Sequence, residues 1–284
     1  MVVFPNAKIN IGLRVLRKRS DGYHDIESLF VPVGWCDILE IVPAKSPTGS
    51  FTLTGSTLGG CPQEKNLVIK AIKALEKYLE KSLPPLDIHL HKAIPDGAGL
   101  GGGSADASFA LKCVNDIFEL ALPTEVLASI AATVGADCPF FIYNSPMLVE
   151  GIGDILSPVN VPQLNGLAIA IVKPTAEAVS TKEAYQGITP HEMPDGLKLI
   201  DLLSRPIPEW HSCGIVNDFE PSIFALRPQI KHTLNKLSQC SGSLYSAMSG
   251  SGAAVYALFE SVNLAEEAIS QFKDFQCFVT QINF

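Results

Sequence analysis

The residues best suited to chemistry lie in a glycine-rich run near the middle of the chain. Five glycines occur within the seven residues 97–103, and Ser104 and Asp106 follow. Glycine permits positive φ angles and a close approach of the backbone to a ligand. Successive free N–H groups in such a turn form a concave site for anions. The run therefore predicts a phosphate-binding loop, and the triphosphate of ATP is the ligand that fits it best.

The elements on either side of the run support this interpretation. Residues 86–91 alternate apolar and polar side chains, which predicts a strand, and residues 104–118 are predicted to form a helix with Ser104 as its N-cap and Asp106 in its first turn. A helix that begins here would direct its free N–H groups at the loop. A flexible linker is the alternative, but it is not expected between a strand and a capped helix.

Two familiar phosphate-binding motifs, the Walker loop and the dinucleotide fingerprint, are not supported by the run and its surroundings. No Gly-Lys-Ser/Thr sequence follows the glycines, so the loop is not a Walker loop. Gly97, Gly99 and Gly102 have the spacing of the dinucleotide fingerprint, but no early βαβ unit surrounds them.

Lys8 and Asn10 are polar residues in an otherwise largely apolar stretch. Residues 2–16 are predicted to be a strand, and in a regular strand these two side chains share one face. Because burying an unpaired charge is costly, Lys8 should either pair with a carboxylate or extend its amine to solvent. Asn10 could equally be a hydrogen-bonded structural residue.

The remaining pattern predicts an α+β fold. The early strands are too closely spaced for βαβ units, which argues against a doubly wound sheet. A cluster of prolines and polar residues at 156–165 suggests a boundary, with domains at 1–157 and 158–284. Further strands are predicted at 26–33, 37–42, 50–54, 166–172, 244–248, 254–259 and 276–282, and further helices at 66–81, 124–134, 180–186, 197–204, 228–238 and 262–272.

Composition narrows the class of protein. The 284 residues are 47% hydrophobic and 18% charged, as expected for a folded globular protein, and the net charge of −8 argues against a general nucleic-acid binder. Seven cysteines without a CxxC pair and six histidines without HExxH spacing predict neither a disulfide framework nor a dedicated metal site. Without a signal peptide or a bilayer-crossing apolar run, a soluble, cytoplasmic protein is expected.

Three separated blocks, at residues 5–10, 94–107 and 247–254, resemble the motifs of the GHMP kinase superfamily, which includes galactokinase and the homoserine, mevalonate and phosphomevalonate kinases. Two further stretches, 19–24 (RSDGYH) and 135–141 (GADCPFF), resemble the members that serve the non-mevalonate isoprenoid pathway. The resemblance covers nearly the whole chain. It implies a kinase that transfers the γ-phosphate of ATP to an alcohol.

The resemblance also implies an architecture and a set of partners. The N-terminal domain would be like domain 2 of ribosomal protein S5 and carry ATP. The C-terminal domain would be ferredoxin-like and help to hold the substrate, with the active site between the two. Mg²⁺ would arrive with the nucleotide. The acceptor would be a small molecule with a cytidine diphosphate group, and the protein a monomer or homodimer that binds neither nucleic acid nor membrane.

The catalytic roles that the resemblance implies fall on Asp137 as general base and on Lys8 as its partner. A surface or capping aspartate is the alternative for Asp137, and core packing for the aromatics. The implied ATP-binding residues are Asn66, Leu67, Pro95, Asp96, Gly97, Ala98, Gly99, Leu100, Gly101, Gly102, Gly103 and Ser104. The implied substrate-binding residues are Asn10, Tyr23, His24, Tyr185, Ser249, Gly250, Ser251 and Gly252.

Specific interpretations accompany these sets. Tyr23 and Tyr185 would stack on the two faces of the cytosine, and His24 would hydrogen-bond its edge. Asn66 could also be the cap of the 66–81 helix, and residues 249–252 could be a generic turn. One departure is Ala105, which stands where the superfamily loop has a second serine.

Two other functions remain open. The first is a homoserine or mevalonate kinase of the same superfamily, which residues 21–24 (DGYH) and 135–141 disfavour. The second is a nucleotide-binding sensor without catalysis, which the presence of both Lys8 and Asp137 disfavours.

Overall fold

The computed structural model describes residues 1–45, 51–55, 62–190 and 197–284. The chain forms two compact units, each assembled from separate segments. Unit 1 comprises residues 1–7, 36–94 and 101–144, and unit 2 comprises residues 8–35, 95–100 and 145–284. The domain boundary predicted at 157/158 remains a prediction.

The secondary structure mixes strands and helices along the whole chain. The strands are β1 (Val2–Val3), β2 (Asn6–Lys18), β3 (His24–Cys36), β4 (Ile38–Pro43), β5 (Thr52–Thr54), β6 (Leu86–His91), β7 (Met147–Glu150), β8 (Ile155–Pro158), β9 (Ala168–Pro174), β10 (Ser243–Met248), β11 (Val255–Phe259) and β12 (Phe275–Gln281). The helices are α1 (Leu67–Leu79), α2 (Gly102–Ile117), α3 (Thr124–Ala132), α4 (Cys138–Tyr143), α5 (Thr181–Gln186), α6 (Leu199–Leu203), α7 (Glu220–Leu226), α8 (Pro228–Ser238) and α9 (Val262–Ile269). Short 3-10 turns occur at Gln63–Lys65, Pro162–Leu164 and Ile207–Glu209.

Unit 1 is a four-stranded sheet with helices packed on it. The strand order is β1-β4-β6-β5, in which β5 runs parallel to β6 and the other pairs are antiparallel. In β6 the apolar residues Leu86, Ile88 and Leu90 are buried, whereas the polar residues between them are exposed. This period of two places one face of the sheet against the apolar stripes of α1 and α2. The core thus fixes α2, the helix that follows the glycine run.

Unit 2 contains two four-stranded sheets, ordered β2-β3-β7-β8 and β10-β11-β9-β12. The second sheet is antiparallel throughout, and it is built from the succession β9, α8, β10, β11, α9, β12. Both helices pack on this sheet. The succession and the strand order are those of a ferredoxin-like βαββαβ fold. The ferredoxin-like arrangement predicted for the C-terminal part is therefore confirmed.

The predicted α+β class is confirmed, and most elements lie where the pattern placed them. The helix predicted at 228–238 and the strand predicted at 86–91 have the predicted bounds. The strand predicted at 2–16 is interrupted by Phe4 and Pro5, since proline has no N–H to donate to a ladder. Residue 50 of the strand predicted at 50–54 lies outside the described residues.

Among the helices and strands of the described residues, four were not predicted, namely β7, β8, α4 and α7. The strands have only four residues each, and α4 has six with a proline in its first turn. Such short segments carry too few residues to show a period. The omission matters for α4, because Asp137 immediately precedes it.

Two global expectations concern cysteines and membranes. The six cysteines of the described part of the chain are free thiols. Among the described residues, no helix has the length and apolarity needed to cross a bilayer.

Candidate functional site

The glycine run forms a loop that leads into α2. Gly97, Gly99 and Gly101 have φ angles of +60°, +73° and +74°, so every second residue is left-handed. Only glycine adopts this region without a steric cost. The residues between them, Ala98 and Leu100, are buried at 2% and 1% exposure and anchor the loop. Alternation of this kind gathers successive N–H groups on one side of the backbone.

The carbonyl groups of residues 97–100 are all bonded inside unit 2. Gly97 O accepts from Val179 N at 3.2 Å and from Ala253 N at 3.0 Å. Ala98 O accepts from Ala254 N at 3.1 Å, Gly99 O from the hydroxyl of Ser249 at 2.9 Å, and Leu100 O from Lys8 N at 2.9 Å.

The N–H groups of the same loop, unlike its carbonyl groups, are not hydrogen-bonded to other described residues. Within the described ranges, no acceptor is hydrogen-bonded to the N–H groups of residues 97–104. Those of residues 102–104 also open α2, where the first turn has no intrahelical partners. A backbone with bonded carbonyls and free amides binds anions. The prediction of a phosphate loop thus has a physical basis in the backbone itself.

The start of α2 corrects the sequence prediction. The N-cap is Gly101, not Ser104, and no side chain caps the helix. The left-handed conformation of Gly101 turns the chain directly into the helix, so Ser104 falls in the first turn. Because no side chain occupies the first-turn amides, they stay available for an anion.

Asp106 was predicted to lie in the first turn, but it is buried behind it at 2% exposure. Its Oδ2 accepts from Lys92 Nζ at 2.8 Å, and Lys92 also pairs with Asp37. A Cβ atom on Gly102 would lie 3.2 Å from Lys92 Nζ, so these charges sit directly against the backbone of the first turn. The three residues Asp37, Lys92 and Asp106 are called the buried triad below.

The buried triad carries an unusual carboxyl group. Asp106 Oδ1 is buried, and none of the described residues donates a hydrogen bond to it. Burial raises the pKa of Asp106 to about 7, and the neighbouring Asp37 adds to the rise while Lys92 opposes it. An ordinary aspartate in the unfolded chain has a pKa of about 4. The folded state therefore binds a proton between about pH 4 and 7 that the unfolded state has released.

We expect the contribution of Asp106 to stability to be present at low pH and lost as pH rises through about 7. Asp106→Asn should remove this dependence. Urea unfolding at pH 5 and pH 8 measures it: the wild type should lose stability relative to the variant between the two values. Asp116→Asn, on the exposed side of α2, is the matched control. A variant with the pH dependence of the wild type would contradict the expectation.

A second loop, Ser249–Gly252, joins β10 to β11 and packs against the glycine run. It is closed by hydrogen bonds from Ser249 N to Ala254 O and from Gly252 N to Ser249 O, both 2.9 Å. Gly250 and Gly252 have positive φ angles of 53° and 86°. Together with the hydroxyl of Ser249 on Gly99 O, these bonds make the two predicted loops one backbone assembly.

Lys8 and Asn10 lie on one face of β2, as predicted. Lys8 is 3% exposed, and its Nζ lies 2.5 Å from Asn10 Oδ1 and 4.5 Å from the centre of the Phe30 ring. Asn10 Nδ2 donates to Ser28 Oγ at 3.0 Å. The alternative of a solvent-reaching lysine is therefore wrong. Asn10 Oδ1 would also lie 3.2 Å from a Cβ on Gly250, so Asn10 borders the second loop.

The predicted aromatic residues of unit 2 are only partly assembled. His24 and Tyr185 stack on one another, with centroids 4.8 Å apart and an interplanar angle of 19°. Phe219 meets Tyr185 edge-on at 4.9 Å. Burial and the charge of Lys18 lower the pKa of His24, which favours its neutral form. Tyr23 is 60% exposed. Whether these rings hold a base remains a prediction.

The other predicted residues of unit 1 lie at the starts of α1 and α4. Asn66 is the N-cap of α1, with Oδ1 accepting from Val68 N at 2.9 Å, which confirms the capping interpretation. Leu67 begins α1, and its Cδ1 would be 3.4 Å from a Cβ on Gly103. Asp137 is the N-cap of α4, but its side chain makes no capping hydrogen bond. Its pairing with Lys8 remains a prediction, because the two residues belong to different units.

Sequence reasoning missed several residues that shape these loops. Asn217, Phe219 and Glu220 contact the second loop or the stacked rings, and Asp37 and Lys92 lie behind the first turn of α2. One signal was present: Asn217 and Glu220 have the spacing of a capping box. It would have predicted α7, although Asn217 does not cap that helix.

No group of three or more His, Cys, Asp or Glu residues in the described ranges could hold a metal ion. Mg²⁺ commonly binds through substrate phosphates, with one or two carboxylates and several waters.

Comparison with known proteins shows which protein family the chain matches. The family model described as GHMP kinases N terminal domain matches residues 66–145, and that described as GHMP kinases C terminal matches residues 198–276. A 4-diphosphocytidyl-2-C-methyl-D-erythritol kinase of Parabacteroides distasonis is 50% identical over 260 residues, which is 92% of each chain.

Solved structures extend the comparison to the fold. The crystal structure of a 4-(cytidine 5'-diphospho)-2C-methyl-D-erythritol kinase matches with a TM-score of 0.78 and 28% identity over 98% of each chain. A homoserine kinase from Cytophaga hutchinsonii matches with a TM-score of 0.68 over 98% of this chain and 95% of its own. At 18% identity, the second match shows a shared fold only.

Proposed function

Because the chain belongs to the GHMP kinase family, we propose that it uses ATP to phosphorylate the 2-hydroxyl of 4-diphosphocytidyl-2-C-methyl-D-erythritol in the non-mevalonate isoprenoid pathway. Family membership makes the chain an ATP-dependent small-molecule kinase. The glycine loop, with its carbonyls bonded and its amides free, is the observation that carries phosphate transfer. The choice of acceptor is supported by relatives of that name along nearly the full length of the chain.

The loop supports the proposal through its electrostatics. Free amides at residues 97–104 would bind the triphosphate without any change of backbone conformation, which is the preorganisation that phosphoryl transfer requires. Pro95 and Asp96 begin the same loop, while Asn66 and Leu67 would lie beside the adenine. We propose Ser249, Gly250, Ser251 and Gly252 as a second backbone wall for the acceptor.

The proposed reaction is a direct in-line transfer. The oxygen of the acceptor hydroxyl bonds to the γ-phosphorus as the bond to the bridging β,γ-oxygen breaks, and ADP leaves. Asp137 accepts the hydroxyl proton, late in a loose transition state. The ammonium of Lys8 holds Asp137 ionised and offsets charge on the transferred group. Mg²⁺ would be held by the phosphates, where it neutralises their charge.

The acceptor end is supported by the aromatic residues of unit 2. His24 favours its neutral form, so its ring can both donate and accept hydrogen bonds, as the edge of a cytosine requires. The exposed Tyr23 would stack on one face of the base and Tyr185 on the other. The stack of Tyr185 on His24 would also hold the histidine ring in place. Base–aromatic stacking stabilises binding by roughly 1–3 kcal/mol.

Two finer points are also proposals. The enzyme would act in the cytoplasm, where its ATP is supplied, and as a monomer or homodimer. Cell fractionation and light scattering of the purified protein check these two points.

Assays with three different acceptors, each supplied separately, test the proposal. The purified protein is given ATP, Mg²⁺ and one of three acceptors, namely 4-diphosphocytidyl-2-C-methyl-D-erythritol, mevalonate or homoserine, and ADP release is measured. We expect turnover with the first and little with the others. Turnover with mevalonate or homoserine alone would refute the acceptor and favour the other kinases of the family. No turnover with any acceptor, despite ATP binding, would favour a nucleotide sensor.

A further inference from the structure

We propose that residues 217–220 (Asn-Asp-Phe-Glu), which belong to neither motif loop, position two parts of the acceptor site at once. Those parts are the Ser249–Gly252 loop and the stacked pair of His24 and Tyr185. This inference rests on the proposed function, because it assigns those parts to the acceptor. We call the four residues the positioning segment; all of the contacts below lie within unit 2.

The side-chain amide of Asn217 donates hydrogen bonds to backbone carbonyl groups in and next to the second loop. The side chain is 3% exposed, and its Nδ2 donates to Met248 O and to Gly250 O, both at 2.8 Å. Its Oδ1 accepts from Phe219 N at 3.0 Å, which fixes the orientation of the amide. Both polar atoms of this buried side chain are therefore used. One of the three bonds enters the loop at Gly250, and a second holds Met248, the residue just before the loop.

Glu220 holds the same loop by an N–H group. Its Oε1 accepts from Met248 N at 2.8 Å, immediately before Ser249. Both polar backbone atoms of Met248 are thus bonded to the positioning segment, the oxygen to Asn217 and the nitrogen to Glu220. Because Ser249 in turn donates to Gly99 O, a shift of Met248 would reach the phosphate loop through one peptide bond and one hydrogen bond.

Phe219 supports the aromatic residues. The Phe219 ring is 2% exposed and meets the Tyr185 ring edge-on at an angle of 88°. Tyr185 in turn stacks on His24. Tyr185 lies on the short helix α5. Without the Phe219 ring, Tyr185 would lose an aromatic contact. The loss of such a contact lowers an equilibrium constant, here that for binding the acceptor, by about 2- to 10-fold.

Asp218 fixes the segment to the strand that carries Lys8 and Asn10. Its Oδ2 accepts from Val15 N at 2.7 Å, and its own N–H donates to Leu13 O at 2.8 Å. Consecutive side chains thus reach β2, the second loop and the stacked rings. The segment acts through other residues, so its members are positioning residues rather than catalytic ones.

The two halves of the segment should have separable effects. Asn217→Asp keeps the shape of the side chain but places an acceptor against two carbonyls, so the second loop should shift. A misplacement of about an ångström can cost roughly 10²-fold in rate, and we expect kcat to fall by about 10- to 100-fold. Phe219→Leu should instead raise KM for the acceptor by about 3- to 10-fold, with KM for ATP unchanged.

Glu220 offers a test by conservative replacement. Glu220→Gln retains an oxygen that can accept from Met248 N, whereas Glu220→Leu removes the acceptor at similar volume. We expect the glutamine variant to keep most of the kcat that the leucine variant loses. Asn235→Asp, on the exposed side of α8, is the control for the charge added by Asn217→Asp.

The measurements are kcat, KM for each substrate, calorimetric binding of CDP, and hydrogen exchange of residues 249–254 with residues 86–91 as reference. Asn217→Asp should speed exchange in the first segment alone, and Phe219→Leu should weaken CDP binding. Equal effects of both variants on all parameters, or none, would overturn the inference. If the wild type turns over no cytidylated acceptor, the proposed function fails, while the exchange measurement still decides whether Asn217 holds the loop.

Discussion

Replacing Asp137 with asparagine should lower turnover by roughly 10²- to 10⁴-fold while ATP binding is retained. Asparagine has the same shape but cannot accept the proton of the acceptor hydroxyl. The side chain of Asp137 makes no capping hydrogen bond to α4, and asparagine is itself a good N-cap residue, so the substitution should leave the start of the helix intact. Measuring kcat by ADP release and the Kd for ATP by calorimetry separates the two effects.

The outcome for Asp137 is informative only if the fold is intact. Asp116→Asn, an exposed aspartate on α2, is the matched control and should leave kcat unchanged. Lys8→Met adds a second arm: if Lys8 holds Asp137 ionised, this variant should also lose turnover, and the losses of the double variant should not add. A variant Asp137→Asn with turnover near that of the wild type would exclude Asp137 as the base.

Replacing Gly99 with alanine should weaken ATP binding by about 100-fold or more, since the loop must move by about an ångström. A Cβ on Gly99 would lie 2.0 Å from Ser249 O, a backbone atom that cannot rotate away. The φ angle of +73° adds strain for any other residue. Nucleotide binding measured by calorimetry, with circular dichroism to confirm the fold, checks the prediction.

Gly166→Ala is the control that separates the clash from the backbone strain. Gly166 has a comparable φ of +86°, but a Cβ there would have no neighbour within 4 Å. This variant should lose some stability and keep ATP affinity. If Gly99→Ala bound ATP as well as Gly166→Ala does, the close packing of the two loops would not matter for the nucleotide.

The sequence predicted the parts of the site that depend on local chemistry. The glycines at 97, 99 and 101 indicate a left-handed backbone, because no other residue adopts that conformation freely. The alternation of apolar and polar residues at 86–91 predicts the strand before the loop. Lys8 and Asn10 share a face because a strand has a period of two. Each of these inferences needs only neighbouring residues.

What the sequence did not predict depends on contacts between distant residues. Asp106 looked like a first-turn acid, but its partner Lys92 lies fourteen positions earlier and Asp37 much farther away. Asn217 holds carbonyls that are 31 and 33 residues distant. The sequence predicts Ser104 as the cap because serine is a good N-cap residue, whereas in the structure Gly101 turns the chain into the helix three residues earlier. The acceptor itself was implied only by resemblance to a family.

Selective ¹⁵N labelling of the 22 glycines gives the most direct test of the central claim, that the amides of the run from Gly97 to Gly103 bind the triphosphate. Titration with a non-hydrolysable ATP analogue should shift the amide signals of these five glycines and leave those of Gly166 and Gly214 in place. Saturable binding of the analogue that leaves the five signals unmoved would contradict the account.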